Sequence, residues 1–154
     1  MPRALITGIT GQDGLYLSEL LLAKGYEVHA IIRGQNNPKR ELVEALVPDV
    51  VLHTGDLTDL SSLIRAIGAA RPDEVYNLAA MSFVPVSWDQ SMLTGEFNAQ
   101  GVTRALEAVR RAARAATSAR AVIAKTVTPA AMFATRARRR KALPSFVSAP
   151  QPAP

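Results

Sequence analysis

The chain has 154 residues, 48% of them hydrophobic, enough to bury one core and about the size of one domain or part of one. It has no cysteine, which excludes disulfides, thiolate metal ligands and cysteine nucleophiles; no apolar run reaches bilayer-spanning length and nothing resembles a signal peptide, so a cytoplasmic protein with no membrane partner is expected. The net charge of +5 is divided: thirteen acids and eight Lys and Arg lie at or before Glu107, and ten Lys and Arg with no acid follow it, so two compositional regimes meet near residue 110.

The first predicted element is a strand over Arg3 to Thr7, with the apolar run Ala4-Leu5-Ile6 of a strand covered on both faces. Gly8-Ile9-Thr10-Gly11-Gln12-Asp13-Gly14 then turns the chain into a helix that runs to about Lys24, where Gly25 ends it. A glycine-rich strand-to-helix turn lets the backbone approach a pyrophosphate and sets that charge on the helix N-terminus. An ordinary tight turn would also use such glycines, so the surroundings must decide. Tyr26 to Ile32 reads as a second strand, and the residue after it, where a carboxylate would accept hydrogen bonds from the ribose of NAD, is Arg33. A guanidinium there suits a 2′-phosphate and favours NADP. The alternative is a solvated arginine in the polar loop Gly34 to Arg40.

Arg40 to Leu46 reads as a short helix, Val50 to His53 as a third strand and Thr54-Gly55-Asp56-Leu57 as a turn at its carboxyl end. Asp56 and Leu57 are candidate adenine contacts, or else parts of a turn and helix cap, and the two roles are compatible. Leu60, Leu63, Ile64 and Ile67 mark the buried face of the next helix. Asp73 to Ala80 reads as a fourth strand whose small final residues, Leu78-Ala79-Ala80, would let a cofactor approach the backbone. A loop over Met81 to Gln90 and a long helix over about Ser91 to Arg111 follow. Strands alternating with helices predict an α/β fold, a Rossmann-like doubly wound parallel sheet. His29 and His53 fall in strands without carboxylates at metal-ligand spacing and read as structural; no metal site is expected.

In these residues the chain resembles the sugar-nucleotide-modifying extended short-chain dehydrogenases, and within them the GDP-mannose 4,6-dehydratases. The resemblance is carried by Thr7-Gly8-Ile9-Thr10-Gly11-Gln12-Asp13-Gly14, Lys24-Gly25-Tyr26-Glu27-Val28-His29, Gly55-Asp56-Leu57-Thr58-Asp59 and Asn77-Leu78-Ala79-Ala80, in order and at spacing. It implies NADP held by Gly8, Thr10, Gly11, Gln12, Asp13, Gly14, Arg33, Asp56, Leu57, Leu78, Ala79 and Ala80. It also implies a homodimer through the 91–111 helix and GDP-mannose as substrate. The implied reaction removes a hydride from C4 of GDP-mannose, eliminates water across C5 and C6, and returns the hydride to C6, giving GDP-4-dehydro-6-deoxy-mannose. That lyase chemistry needs a Tyr base with a Lys four residues on, and this sequence departs from the pattern. Its tyrosines are Tyr16, Tyr26 and Tyr76, followed four positions on by Leu20, Ala30 and Ala80. No catalytic residue is therefore assigned. Met81-Ser82-Phe83 is a smaller departure, in the loop after the Ala-Ala pair.

Residues 1–111 are thus expected to be an NADP-binding half-domain with an incomplete sheet. Residues 112–154, rich in Ala, Arg, Ser, Thr and Pro, are expected to be a disordered low-complexity tail. The abrupt change near Arg110 predicts a shifted reading frame that cuts the family pattern short. The competing reading is a working basic tail in which Arg136, Arg138, Arg139, Arg140 and Lys141 meet nucleic acid or an anionic surface, but the run lacks interleaved aromatics. Within the tail only Ala121 to Val127 has strand composition, and it is a candidate to pair beside the fourth strand.

Overall fold

The computed structural model describes residues 1–34, 36–115 and 123–125. Strand β1 (Arg3–Thr7) lies at the centre of a parallel sheet, between β2 (Glu27–Ile32) and β4 (Glu74–Asn77). Beyond these stand β3 (Val51–Thr54) next to β2 and β5 (Ile123–Lys125) next to β4, giving the order β3-β2-β1-β4-β5. Parallel neighbours require crossovers, and helices supply them on both faces. Ala4 and Ile6 of β1 pack on one face with Leu17 and Leu21 of α1 (Gln12–Ala23) and Val43 of α2 (Arg40–Leu46). Leu5 points the other way, into a cluster with Leu63 and Ile67 of α3 (Leu60–Ala70) and with Ala105 and Ala108. Burial on both faces explains the unbroken apolar run of β1 where a half-exposed strand would alternate.

The helix ends are set locally. Gly25, at φ +78°, closes α1: its N–H donates to the Leu22 carbonyl and the Tyr26 N–H to the Leu21 carbonyl, the paired bonds of a glycine C-terminal cap. The Asp59 carboxylate caps α3 by accepting from the Ser61 N–H at 2.9 Å. Leu63 and Ile67 are buried and Leu60 and Ile64 pack partly buried beside them, as their spacing requires.

Three boundaries differ from expectation. The fourth strand ends at Asn77, short of Ala80, where the Thr7 hydroxyl accepts from the N–H groups of Leu78 and Ala79 (3.2 Å each) and the Leu78 N–H also reaches the Thr7 carbonyl at 3.3 Å. The expected loop 81–90 contains a helix, α4 (Val84–Asp89), with Pro85 in its first turn, where a missing N–H costs nothing. The long helix is present but not uniform. It comprises α5 (Ser91–Gly95), a π-helical turn (Glu96–Gln100) and α6 (Gly101–Ala115), with Gly95 and Gly101 both in helical conformation.

The candidate strand in the tail is observed as β5, pairing parallel with β4 in the register Glu74 to Ile123 and Tyr76 to Lys125. The basic run at 136–141 lies outside the described residues. Among the described residues no helix is long and apolar enough to cross a membrane.

Candidate functional site

The sheet order reverses between β1 and β4, and there the carboxyl ends of the strands open a cleft of about 890 Å³. Its floor is the glycine turn. Gly8 has φ +80°, and a Cβ at that position would stand 2.7 Å from the Ala79 backbone nitrogen. A Cβ on Gly14 would meet the Gly8 carbonyl oxygen and stand 2.7 Å from the Ile9 Cα. The first glycine therefore permits the turn against β4, and the third permits α1 to press onto the strand end. Gly11 differs: its backbone is extended (φ −89°), and a Cβ there would touch only the Gly8 oxygen, at 3.3 Å.

The start of α1 is open. Gly11, its N-cap, offers no side chain to the first-turn N–H groups, whereas α3 has the Asp59 carboxylate. With Gln12, Asp13 and Gly14 lining the cleft, these donors and the positive end of the helix dipole are available to a phosphate.

All twelve residues expected to hold a cofactor line this one cleft. Gly8, Thr10, Gly11, Gln12, Asp13 and Gly14 come from the turn, Arg33 from the end of β2, Asp56 and Leu57 from the end of β3, and Leu78, Ala79 and Ala80 from the end of β4. Arg33 is exposed, its guanidinium carbon 5.9 Å from the centre of the Phe97 ring, a cation–π arrangement that holds it over the rim. Asp56 forms the expected turn while lining the cleft. Its Oδ1 accepts from the Thr58 N–H and hydroxyl (2.8 Å each) in a turn, while Oδ2 takes no part in those bonds.

Several cleft features escaped the sequence reading. Thr7 is the hinge of the switch point: its hydroxyl donates to Asn77 Oδ1 at 2.7 Å and accepts from the two N–H groups that follow β4. Asn98, on the π-helical turn, grips Met81 twice, accepting from its N–H (2.8 Å) and donating to its carbonyl (3.0 Å). Gly101 lets α6 approach to where a Cβ would lie 3.2 Å from that of Leu57, and Arg104 donates to the Leu57 carbonyl while pairing with Glu96. Lys39 adds a second cation to the lining. A π-turn has no sequence period to betray it, and Lys39 falls in the polar loop Gly34 to Arg40, where no motif marks it.

The two histidines lie off the cleft and meet each other. His29 Nδ1 is 2.9 Å from His53 Nε2, and His29 Nε2 is 3.0 Å from Glu27 Oε1, a carboxylate partner two residues away that strand alternation brings to the same face. Burial, and secondarily the charge of His29, holds His53 below its ordinary value.

A 3-2-1-4-5 parallel sheet with a glycine turn at its switch point defines a Rossmann-type α/β protein. Solved structures agree: the chain is similar to UDP-glucose 4-epimerase of Thermus thermophilus in complex with NAD (36% identity, TM-score 0.63, covering 71% of this chain and 34% of that one). It is also similar to the enzyme WbmH of Bordetella bronchiseptica in complex with NAD+ (30%, TM-score 0.56, 73% and 36%).

The sequence is more specific. Residues 5–128 match the GDP-mannose 4,6 dehydratase family, and the chain belongs to that family. It is 49% identical over 115 residues to GDP-mannose 4,6-dehydratase of Vibrio cholerae, covering 70% of this chain and 31% of that protein. Against GDP-mannose 4,6 dehydratase 2 of Arabidopsis thaliana the identity is 51%, with the same coverage. The chain thus spans about a third of the length of the curated relatives it matches. The family match runs past Arg111 and takes in β5.

Proposed function

We propose that the cleft binds NADP and that the chain provides the cofactor-binding part of a GDP-mannose 4,6-dehydratase. The observation that carries this reading is the meeting, in one cleft, of the uncapped α1 start with Arg33 and with the ends of β3 and β4. The lining suits the group: Gly8 and Gly14 let the turn pack where a Cβ would strike backbone, no side chain caps the first turn of α1, and Arg33 lines the cleft at the end of β2, where this fold recognises the adenosine ribose. Asp56 and Leu57 flank the adenine end, and Leu78, Ala79 and Ala80 flank the nicotinamide end. Bound NADP would supply the hydride acceptor and donor for the reaction at C4 and C6 of GDP-mannose. What the chain's residues contribute is grip and orientation, because no Tyr-x-x-x-Lys segment occurs in these 154 residues. We further propose that the protein acts in the cytoplasm, that 1–111 is the NADP-binding unit, and that the 91–111 helix joins two copies in a homodimer.

Calorimetric titration tests the cofactor. NADP is expected to bind more tightly than NAD, and Arg33→Met to bring the two together by weakening NADP alone; equal or tighter binding of NAD by the unaltered chain overturns the reading. The purified chain is expected to form no 4-keto product from GDP-mannose, and product formed by chain free of host enzyme would refute the assignment of a binding role alone.

A further inference from the structure

Two cationic residues line the cleft, and one side chain joins their backbones. Asn37 Nδ2 donates to the carbonyl oxygen of Arg33 at 2.8 Å, and Asn37 Oδ1 accepts from the backbone N–H of Lys39 at 2.9 Å. Asn37, Pro38 and Lys39 line the same cleft as Arg33. Among the described residues neither Arg33 nor Lys39 joins a salt bridge, whereas the adjacent Arg40 is engaged by Glu44 at 3.0 Å. Two cationic residues without carboxylate partners among the described residues therefore line one cleft, on backbone that Asn37 ties together.

We propose that Lys39 is the second cation of a 2′-phosphate pocket and that Asn37 is the positioning residue that keeps Arg33 and Lys39 on the same side of it. The proposal rests on the NADP reading above and adds to it the residues that set the preference over NAD. A phosphate dianion has three outer oxygens: the guanidinium fork takes two, and a compact ammonium serves the third. The 2′-hydroxyl of NAD offers neither cation a charge, so both discriminate in the same direction. Pro38, with its fixed φ, stiffens the link between Asn37 and Lys39 and limits the loop entropy lost on binding.

The test is calorimetric titration of the full chain with NADP and with NAD, for the parent, Lys39→Gln, Lys39→Arg and Asn37→Ala. Lys39→Gln is expected to weaken NADP about three- to tenfold, the range of one partly exposed charge pair, and to leave NAD unchanged. Lys39→Arg restores NADP binding. Asn37→Ala, which keeps both cations but unties them, lowers the NADP to NAD preference by a smaller factor at constant NAD affinity. Parental NADP affinity in Lys39→Gln, with Arg33→Met still losing its preference, overturns the role of Lys39 and leaves the NADP reading standing. Equal losses for NADP and NAD in Lys39→Gln also overturn it, since they indicate a disrupted loop. A parental preference in Asn37→Ala overturns the positioning role, and a parent chain that binds NAD as well as NADP overturns both readings.

Discussion

Gly8, Gly11 and Gly14 share a motif but not a physical task, and substitution by alanine separates them. Gly8→Ala forces a side chain into a left-handed backbone and against the Ala79 nitrogen; Gly14→Ala drives a methyl into the Gly8 carbonyl and the Ile9 backbone. Neither neighbour is a flexible side-chain end, so relief requires the turn to move away from the end of β4 in the first case and α1 to lift off the turn in the second. Each is expected to cost about 1–3 kcal/mol of stability, measured by urea unfolding. Gly11→Ala meets one atom at 3.3 Å in an ordinary backbone conformation and should unfold near the parent midpoint. Gly11 lines the cleft, so on the proposed reading its added methyl is expected to cost NADP binding. Three equal losses of stability would refute this division. The sequence shows three glycines in a turn, but which of them the fold requires depends on how close β4 passes, and that is a tertiary fact.

At the scale of elements, the order of strands and helices, short α4 apart, was readable because each has its own period and its own stop. Gly25, Asp59 and the spacing from Leu60 to Ile67 sit where the chain turns or buries a face. What sequence did not disclose are contacts between distant segments. Thr7 meets the end of β4 from seventy residues away, and Asn98 holds Met81 across seventeen. Asn98→Ala leaves two backbone groups of Met81 without this partner, and is expected to raise amide hydrogen exchange in 80–83 while β1 exchange stays slow; unchanged exchange there would show that the π-turn is not what fixes the segment.

Edge strand β3 carries a second test, through His53. Its folded-state pKa lies below the ordinary 6.5, from burial first and then from His29. As pH falls below that value the unfolded chain takes up a proton before the folded one does. Stability is therefore full above about 6.5 and declines as pH drops through the window down to the folded value. His29 Nδ1 lies 2.9 Å from His53 Nε2, so a proton taken up by His53 in the folded chain sits against the neighbouring ring. His53→Gln should flatten the decline in urea midpoint between pH 7.5 and 5.5, and an equally steep decline in that variant would rule His53 out as its source.

For the whole molecule, the cleft and the surface outside it differ in what their sequence discloses. The cofactor cleft is built from turns at strand ends, whose residue types are dictated by close backbone approach, and so its motifs are readable. The surface outside the cleft is dictated by what covers it. Phe83, Val84, Trp88 and Met92 are all more than 60% exposed, and Leu106 is half-exposed on the long helix. Exposed apolar side chains on and just before the 91–111 segment are the ones that the proposed dimer would bury. Trp88, the only tryptophan in the sequence, lies beside that helix and is 81% exposed, so it reports on the event. Raising the protein concentration should make Trp88 less accessible to acrylamide in step with a shift from monomer to dimer by sedimentation velocity. Met92→Glu combined with Leu106→Glu places two carboxylates on the helix surface and should hold the chain monomeric, with Trp88 quenched as readily at high concentration as at low. Dimerisation of the double variant with parental affinity would move the contact elsewhere, and a parent chain that stays monomeric at every soluble concentration would remove the homodimer from the reading altogether.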